Sequence, residues 1–247
     1  MITCDLNCDM GEGIGADEMI MPFITSANIA CGYHAGNETT MQETVMLAKK
    51  AGVAIGAHPS FFDRENFGRT EIEGLRPQQV YDIVVLQIKT LKNITDYCNA
   101  RLHHVKPHGA LYNMAARDAV LSQAIAHAVF DVDRTLVLYG LSGSYLISEA
   151  KVLGIKTASE VFADRTYGDD GSLTPRTKPG ALIEDEAQSI NQVLQMIKEG
   201  TVTSMSGKVV SIIAETICLH SDGKNAVAFA SAINKKLKVE NIKIQTI

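Results

Sequence analysis

The chain has 247 residues, of which 46% are hydrophobic and 21% are charged, and its net charge is −5 with a sequence pI near 5.8. This composition is typical of a folded globular protein and argues against disorder. The acidic balance, without any basic run, argues against a nucleic-acid-binding protein.

The sequence also carries no indication of a membrane protein or a secreted protein. No stretch of 18 apolar residues is present, so no membrane span is expected. The N-terminus begins with strand-like sequence and lacks a basic segment followed by an apolar one, so we expect no signal peptide. The five cysteines are an odd number in mostly apolar runs, which predicts reduced core thiols and a cytoplasmic protein.

Strand-like and helix-like stretches alternate along the whole chain. Seven strands are predicted, at residues 2–9, 26–32, 53–58, 102–106, 135–140, 157–162 and 211–219. Val80, Val84, Ile88 and Leu91 fall on one face of a long helix that can begin at Pro77. Apolar spacing predicts further helices at residues 41–48, 120–130, 190–197 and 224–237.

Repeated strand–helix units predict a parallel sheet covered by helices. We expect one α/β domain over residues 1–247, folded as a seven-stranded parallel (β/α) barrel. The alternative is an open doubly wound sheet, which gathers its ligands at one switch point. The barrel is favoured because ionisable residues end several different strands, and barrel enzymes build their active sites at those ends.

Polar residues near the strand ends point mostly the same way. Side chains alternate along a strand, so Asp5, Asn7 and Asp9 share one face of the first strand. Lys106 shares a face with His108 if the fourth strand continues that far. Ionisable groups on an inner face are costly unless they serve a purpose. The pattern therefore predicts an active site at one end of the barrel.

Two long segments interrupt the alternation of strands and helices. Residues 59–76 are rich in phenylalanine and charged residues, and residues 163–182 are rich in aspartate and arginine. Long loops without periodicity in a compact domain are usually lids or binding loops, with a plain surface loop as the alternative.

Several segments resemble the signatures of the lactam-utilisation (LamB/YcsF) family, whose members are also named as the A subunit of 5-oxoprolinase. They are residues 5–13, 28–36, 56–59, 67–69, 105–113 and 161–167. The resemblance runs from residue 5 to about 222, which is nearly the whole chain. It implies a seven-stranded barrel of the glycoside hydrolase/deacetylase type, in agreement with the alternation of strands and helices.

The resemblance implies one component of an ATP-dependent 5-oxoprolinase, which opens 5-oxoproline to L-glutamate together with two further subunits. ATP would be a co-substrate, because phosphorylating the lactam oxygen makes the ring carbon a better electrophile. Attack by water then needs a base, and the developing negative charge needs fixed donors or cations. The chain has no P-loop, so nucleotide is expected at an unusual site or on the partner subunits.

Residues that suit these needs lie at the predicted strand ends and in the two long loops. The catalytic candidates are Asp9, His34, His58, Lys106 and His108. The candidates for binding substrate or phosphate are Asn28, Arg69, Asp164, Arg165, Arg176 and His220. Arginine is favoured for its bidentate contacts, although each arginine can also be a solvated loop charge. Lys106 is expected to pair with Asp5 or Asp9, because a buried lysine needs an anionic partner.

A divalent metal ion is a further candidate cofactor. Asp9, His34 and His58 would supply one carboxylate and two imidazoles, a set that suits divalent metals and that deacetylases of the related fold use. A metal-free catalytic cluster needs the same residue types, so both interpretations stay open.

The remaining histidines are expected to have other roles. His103 is predicted to be structural, His104 to pack or to orient a neighbour, and His127 to lie on the surface. For the segment around His220, capping of a helix by Asp222 is the alternative to a role in the site.

Two other functions stay open. One is a stand-alone metal-dependent deacetylase or amidohydrolase acting on a sugar or an amide, and the other is a non-catalytic lactam- or carbohydrate-binding protein.

Overall fold

A computed structural model describes residues 2–13, 16–220 and 226–247. Seven parallel strands form a closed barrel at its centre, namely the first six strands along the chain and the ninth. The ten strands are β1 (Thr3–Met10), β2 (Ser26–Ala30), β3 (Ala54–His58), β4 (Leu102–Val105), β5 (Val137–Leu141), β6 (Thr157–Phe162), β7 (Thr201–Thr203), β8 (Val209–Ser211), β9 (Thr216–Leu219) and β10 (Lys243–Ile244).

The barrel closes because β1 has parallel neighbours on both sides. It pairs with β2, where Asp9 lies opposite Asn28, and with β9, where Cys8 lies opposite Leu219. β9 also pairs with β6, which completes the ring. The predicted seven-stranded parallel barrel is therefore confirmed. Outside the ring, β10 adds to the start of β1, and β7 forms an antiparallel hairpin with β8.

Helices cover the outside of the barrel. They are α1 (Asp17–Ile20), α2 (Glu38–Ala51), α3 (Pro77–Tyr97), α4 (Gly109–Arg117), α5 (Ala119–Asp133), α6 (Tyr145–Val152), α7 (Glu186–Glu199) and α8 (Ala226–Val239). Asn37 caps α2 by accepting the Thr40 N–H at 3.0 Å, and Pro77 stands in the first turn of α3 as predicted. Among the described residues, no helix is long and apolar enough to cross a membrane.

The apolar core lies between the barrel wall and the helices. Leu6 and Cys8 on β1 point outward into it and are fully buried, as the alternation of side chains along the strand requires. Val84 and Ile88 of α3 face the same layer and are also fully buried. Burial of this layer is the main source of stability, since hydrophobic stabilisation scales with the apolar area removed from water.

Some predicted boundaries were wrong. Residues 211–219 are not one strand: Ser211 ends β8, which pairs with β7, and β9 begins at Thr216. The whole stretch is apolar and β-prone, so its sequence does not mark the change of pairing partner. The short helices α1, α4 and α6 were not predicted, because a few turns give too little periodicity. Residues 224 and 225 of the last predicted helix lie outside the described residues.

The inside of the barrel is polar, unlike the usual barrel interior of branched apolar residues. At its lower end, the Asp5 carboxylate accepts hydrogen bonds from Thr25 (2.5 Å), Ser26 (2.8 Å) and Thr216 (2.6 Å). Burial nevertheless raises the pKa of Asp5. The inward direction predicted for Asp5, Asn7 and Asp9 is confirmed by these contacts and by those at the upper end.

The long loop 59–76 folds over the carboxyl end of the barrel. Arg64 donates to the carbonyl oxygens of Gly32 (2.7 Å) and Gly36 (2.5 Å), and the Ala110 N–H donates to the Gly68 carbonyl (2.8 Å). The second long loop, which follows β6, is held by a bridge between Arg165 and Leu182. The first loop is therefore held against the barrel end by a side chain and a main-chain contact, and the second loop is held together by its own main chain.

We predict that Gly56→Ala lowers the free energy of unfolding by about 3 kcal/mol, as expected for overpacking of an interior. A Cβ atom at Gly56 would lie 2.0 Å from the His104 Nε2 atom. The His104 ring stacks on Tyr139 at 4.3 Å and bonds to Asn28, so it has no room to retreat. Denaturant unfolding of the purified variant measures the loss.

Gly140→Ala on β5 is the matched control. A Cβ atom there would lie 3.1 Å from the Leu146 side chain, which can shift, so we expect a smaller loss. In the double variant Gly56→Ala/His104→Ala the two costs should not add, because removing the ring makes room for the methyl group. Additive costs would contradict the proposed clash.

Candidate active site

The five predicted catalytic residues lie together at the carboxyl end of the barrel, and all are buried. Asp9 and His58 stand near the ends of β1 and β3, while His34, Lys106 and His108 follow β2 and β4. His58 Nε2 lies 3.3 Å from Asp9 Oδ2 and 2.8 Å from His108 Nδ1. Parallel strands thus bring residues distant in sequence into one cluster.

Lys106 forms two buried ion pairs. Its Nζ atom lies 2.9 Å from Asp9 Oδ1 and 2.9 Å from Glu160 Oε1, and 3.1 Å from Cys218 Sγ. Of the two expected partners, Asp9 is the one that binds Lys106, since Asp5 is bonded to hydroxyl groups at the other end of the barrel. The lysine is therefore flanked by carboxylates on both sides.

These contacts keep the ion pairs charged. Burial alone would lower the pKa of Lys106, but Asp9, Cys218 and Glu160 raise it, and the net pKa lies well above its ordinary value. Burial would raise the pKa of Asp9, but His58 and Lys106 lower it well below its ordinary value. Lys106 is consequently a fixed cation and not a proton donor at neutral pH.

Asp9 is also held by side chains that lie deeper inside the barrel. Asn28 donates to Asp9 Oδ1 at 2.8 Å and to Asn7 Oδ1 at 2.8 Å. His104 Nε2 lies 2.8 Å from the side-chain amide oxygen Oδ1 of Asn28, to which it donates. Asn28, predicted to bind substrate or phosphate, is fully buried beneath the cluster. Its contacts fix the orientation of the Asp9 carboxylate.

A second group of residues lies beside Asp9 and consists of Glu12, His34, His58 and His108. The rings of His34 and His108 stack at 3.8 Å with an interplanar angle of 4°. Glu12 Oε1 lies 3.1 Å from His34 Nε2 and 3.7 Å from His108 Nδ1. Burial and the nearby His58 lower the pKa of His34 to about 3, and burial and the two other rings lower that of His108. Both imidazoles are therefore neutral at physiological pH.

The loop 59–76 seals this histidine cluster. Phe67 packs edge-on against His34 and His108 at 5.4 and 5.5 Å. Gly68 has φ +68°, and a side chain there would lie 2.9 Å from both histidines. Arg69, predicted to bind substrate or phosphate, is exposed, and its guanidinium lies 5.1 Å from the centre of the Phe67 ring.

On the other side of Asp9, His220 forms a pair with Asp164. His220 Nδ1 lies 2.7 Å from Asp164 Oδ2, and His220 Nε2 lies 4.0 Å from Asp9 Oδ2. Burial would raise the pKa of Asp164, but His220 lowers it, and the net shift is downward. The ring of His220 stacks on Phe162 at 5.7 Å. Asp222, the predicted alternative cap, lies outside the described residues.

The two other arginines are placed in the second loop. Arg165 is buried and donates to the carbonyl oxygens of Thr174 (2.5 Å) and Ala181 (3.4 Å). Burial, with Arg176 nearby, lowers the pKa of Arg165 to about 10. Arg176 is half-buried, and its charge helps to lower the pKa of Asp164. Neither arginine belongs to the ion-paired centre.

The other histidines occupy the expected places. His104 is buried and orients Asn28, and His127 is exposed on α5. His103 is half-buried and lies 3.1 Å from the main-chain oxygen of Ile247, a structural contact at the far end of the barrel.

Sequence reasoning missed Glu12, Ser60, Glu160 and Cys218. Glu160 could have been identified from the sequence, because it stands within a strand-like run, where a buried carboxylate is costly without a cation. Tyr112 donates to its second oxygen at 2.6 Å. Glu12 and Ser60 follow the strand ends in loops, where side-chain alternation no longer predicts direction.

The sequence of this chain is similar to those of known proteins over nearly its whole length. The model of the LamB/YcsF family matches residues 4–247. A protein from Bordetella pertussis that is named as the A subunit of 5-oxoprolinase is 52% identical, covering 98% of this chain and 97% of its own. The protein of the same name from Shouchella clausii is 54% identical, covering 99% and 98%.

Solved structures of other proteins are also similar to this chain. A lactam utilization protein from Thermus thermophilus is 40% identical, with a TM-score of 0.92 and full coverage of both chains. The polysaccharide deacetylase Bc1974 from Bacillus cereus is 12% identical, with a TM-score of 0.54 over 100% of this chain and 92% of its own, a likeness of fold alone. The chain belongs to the LamB/YcsF family.

Proposed function

We propose that this chain is the A subunit of a 5-oxoprolinase, which opens 5-oxoproline to L-glutamate. The proposal is supported by the name shared by relatives 52–54% identical over nearly the whole chain. The observation that carries the chemistry is the His220–Asp164 pair, which stands beside the Lys106–Asp9 ion pair at the barrel end. A proton acceptor and a fixed cation together suit the hydrolysis of an amide.

In this proposal His220 is the general base. Its Nδ1–H donates to Asp164, which leaves Nε2 unprotonated on the side of Asp9. Nε2 takes a proton from the water that attacks the ring carbon bearing the phosphorylated oxygen, and the same proton passes to the ring nitrogen as the C–N bond breaks. A second water then hydrolyses the resulting acyl phosphate to L-glutamate and phosphate. Asp164 stabilises the imidazolium formed between these two transfers.

Lys106 supplies positive charge at the same place. Because its two carboxylate partners keep it protonated, it acts by electrostatic attraction and not by proton transfer. When ATP has phosphorylated the lactam oxygen, the negative charge lies on that oxygen and its phosphoryl group, and a fixed nearby cation lowers the energy of that state. Asn28 and His104 are positioning residues, since they act through Asp9.

We infer that the assembled enzyme consumes ATP as co-substrate and contains two further subunits. Lactam opening is close to neutral or uphill, so phosphorylation of the lactam oxygen offers a way to drive it. The chain has no P-loop, which supports a nucleotide site formed with or by the partners. The five cysteines are free and buried, in agreement with a cytoplasmic location.

The test of this function mixes the chain with its two presumed partner subunits, 5-oxoproline and ATP, and measures L-glutamate. The chain alone should be weak or inactive. Rapid glutamate formation by the chain alone without ATP would contradict the coupling.

The second candidate is a metal-dependent deacetylase or amidohydrolase that works alone. The histidine cluster with Glu12 favours it, because such donors suit a catalytic metal. Acetate release from an acetylated sugar or amide, without ATP or partners and blocked by a chelator, would identify it. Ligand binding without turnover in every combination of subunits would instead indicate a binding protein.

We predict that Lys106→Met lowers turnover of the complete enzyme, with all three subunits present, by about 10²-fold or more, because the transition state loses a fixed cation. It should also destabilise the fold, since Asp9 and Glu160 are left as unpaired buried charges. Turnover is measured as L-glutamate, and folding by circular dichroism and thermal unfolding.

The double variant Lys106→Met/Glu160→Gln separates the two effects, because it removes one of the stranded charges. Stability should largely return while turnover stays low. Return of turnover together with stability would assign Lys106 a purely structural role. Lys89→Met, at an exposed position on α3, is the matched control and should change neither.

We predict that Asp164→Asn lowers turnover by about 10²-fold or more with the fold intact, because the amide no longer fixes the tautomer of His220. Asp170→Asn in the same loop, where Asp170 is exposed and accepts hydrogen bonds from Ser172, should keep full turnover. If the two variants have equal turnover, the His220–Asp164 pair has no part in the mechanism.

A further inference from the structure

Two of the three histidines beside Glu12 have one ring nitrogen fixed as a donor. His58 Nδ1 lies 2.6 Å from the Lys106 carbonyl oxygen, and His108 Nε2 lies 2.9 Å from the Phe67 carbonyl oxygen. A carbonyl oxygen only accepts, so both of these nitrogens carry the proton. A neutral imidazole has a single N–H, and its other nitrogen is then an acceptor.

Ser60 contacts the third histidine. Its hydroxyl oxygen lies 3.0 Å from the Phe61 carbonyl oxygen and 2.8 Å from His34 Nδ1. When the hydroxyl donates to Phe61, it accepts the N–H of His34 Nδ1, and His34 Nε2 is a lone-pair donor without a proton. In the other tautomer the hydroxyl donates to His34 Nδ1, and His34 Nε2–H donates to Glu12 Oε1.

The lone pairs that remain all meet at one point. His58 Nε2 lies 2.8 Å from His108 Nδ1, and Glu12 Oε1 lies 3.1 Å from His34 Nε2 and 3.7 Å from His108 Nδ1. Asp9 Oδ2 adds a carboxylate oxygen 3.3 Å from His58 Nε2. Acceptors that face each other at these distances repel, unless a proton or a metal cation lies between them.

We propose that Glu12, His34, His58 and His108 bind a divalent transition metal ion of the zinc type. Ligand atoms bound at about 2.0–2.1 Å in a tetrahedron lie about 3.3 Å apart, close to the separations of 2.8–3.7 Å seen here. Three imidazoles and one carboxylate suit zinc, cobalt or nickel better than magnesium or calcium.

The outer contacts support a metal site in a second way. Metal-binding histidines usually donate their other N–H to a carbonyl, carboxylate or similar acceptor, which sets the ring orientation. The carbonyls of Lys106 and Phe67 and the hydroxyl of Ser60 perform this role here. The parallel rings of His34 and His108 must tilt apart when the ion enters, because a ligand nitrogen binds in the plane of its ring.

The neighbouring group of Asp9, Cys218 and His220 carries no second metal in this proposal. The Lys106 ammonium lies 2.9 Å from Asp9 Oδ1 and 3.1 Å from Cys218 Sγ, so its charge opposes another cation there. This is also why Glu12 and His108, rather than Asp9, join His34 and His58 in the ligand set.

Metal binding is measured on the full chain without turnover, so its outcome is separate from that of the proposed 5-oxoprolinase activity. Chelator-treated protein is titrated with Zn²⁺ by calorimetry, and bound metal is counted by elemental analysis after gel filtration. We expect one equivalent, a rise in Tm, and a tetrahedral Co²⁺ spectrum with Co²⁺ in place of Zn²⁺. If the chain binds none of these ions saturably, the proposal is wrong. A proton shared between the ring nitrogens would then explain their close approach.

Variants identify the ligands. His58→Ala and His108→Ala should each lower the affinity for Zn²⁺ by about 100-fold or more, whereas His127→Ala, at an exposed histidine, should not change it. Ser60→Ala should lower it by about 10–100-fold, the usual effect of losing an outer partner. Its backbone contacts with Gln87 persist, so the variant should fold. Unchanged affinity in both His58→Ala and Ser60→Ala would assign the binding to another place and overturn the site.

Discussion

The buried Lys106 ammonium organises the centre of this protein. Two carboxylates, Asp9 on β1 and Glu160 on β6, lie 2.9 Å from it, so both ion pairs form only while the ring is closed. Isolated carboxylates would be very costly to bury. The ion pairs therefore tie the charge balance of the site to the closure of β1, β4 and β6. Removing one member leaves an unpaired buried charge, so a single substitution is expected to destabilise the fold.

Around this centre, the polar interior of the barrel acts as a support. Asn28 and His104 fix Asp9 from below, and Gly56 gives His104 the space it needs against the wall. A barrel filled with branched apolar residues would give more hydrophobic stabilisation per residue. Here part of that stabilisation is replaced by a hydrogen-bonded column, which holds the reactive end in one geometry.

The sequence predicted the fold well because its information is periodic. Alternating strands and helices indicated the barrel, and side-chain alternation placed Asp9 and Lys106 inside. The contacts of Glu12 and Ser60 were not predictable, because they lie in loops where no period applies. The role of Arg165 also depended on tertiary structure, since its guanidinium bonds to carbonyl groups of its own loop. The cluster could be located from the sequence, but the partners of each atom could not.

The contact between the Phe67 carbonyl and His108 has a consequence for access to the site. That oxygen belongs to the loop 59–76, which covers the barrel end and is tethered by Arg64. If the loop lifts, His108 loses the acceptor that decides which of its nitrogens carries the proton. The histidine can then switch tautomer, and its lone pair turns away from Glu12. The loop that covers the site thus also helps to set the tautomer of His108, which links access to the site with the arrangement of its lone pairs.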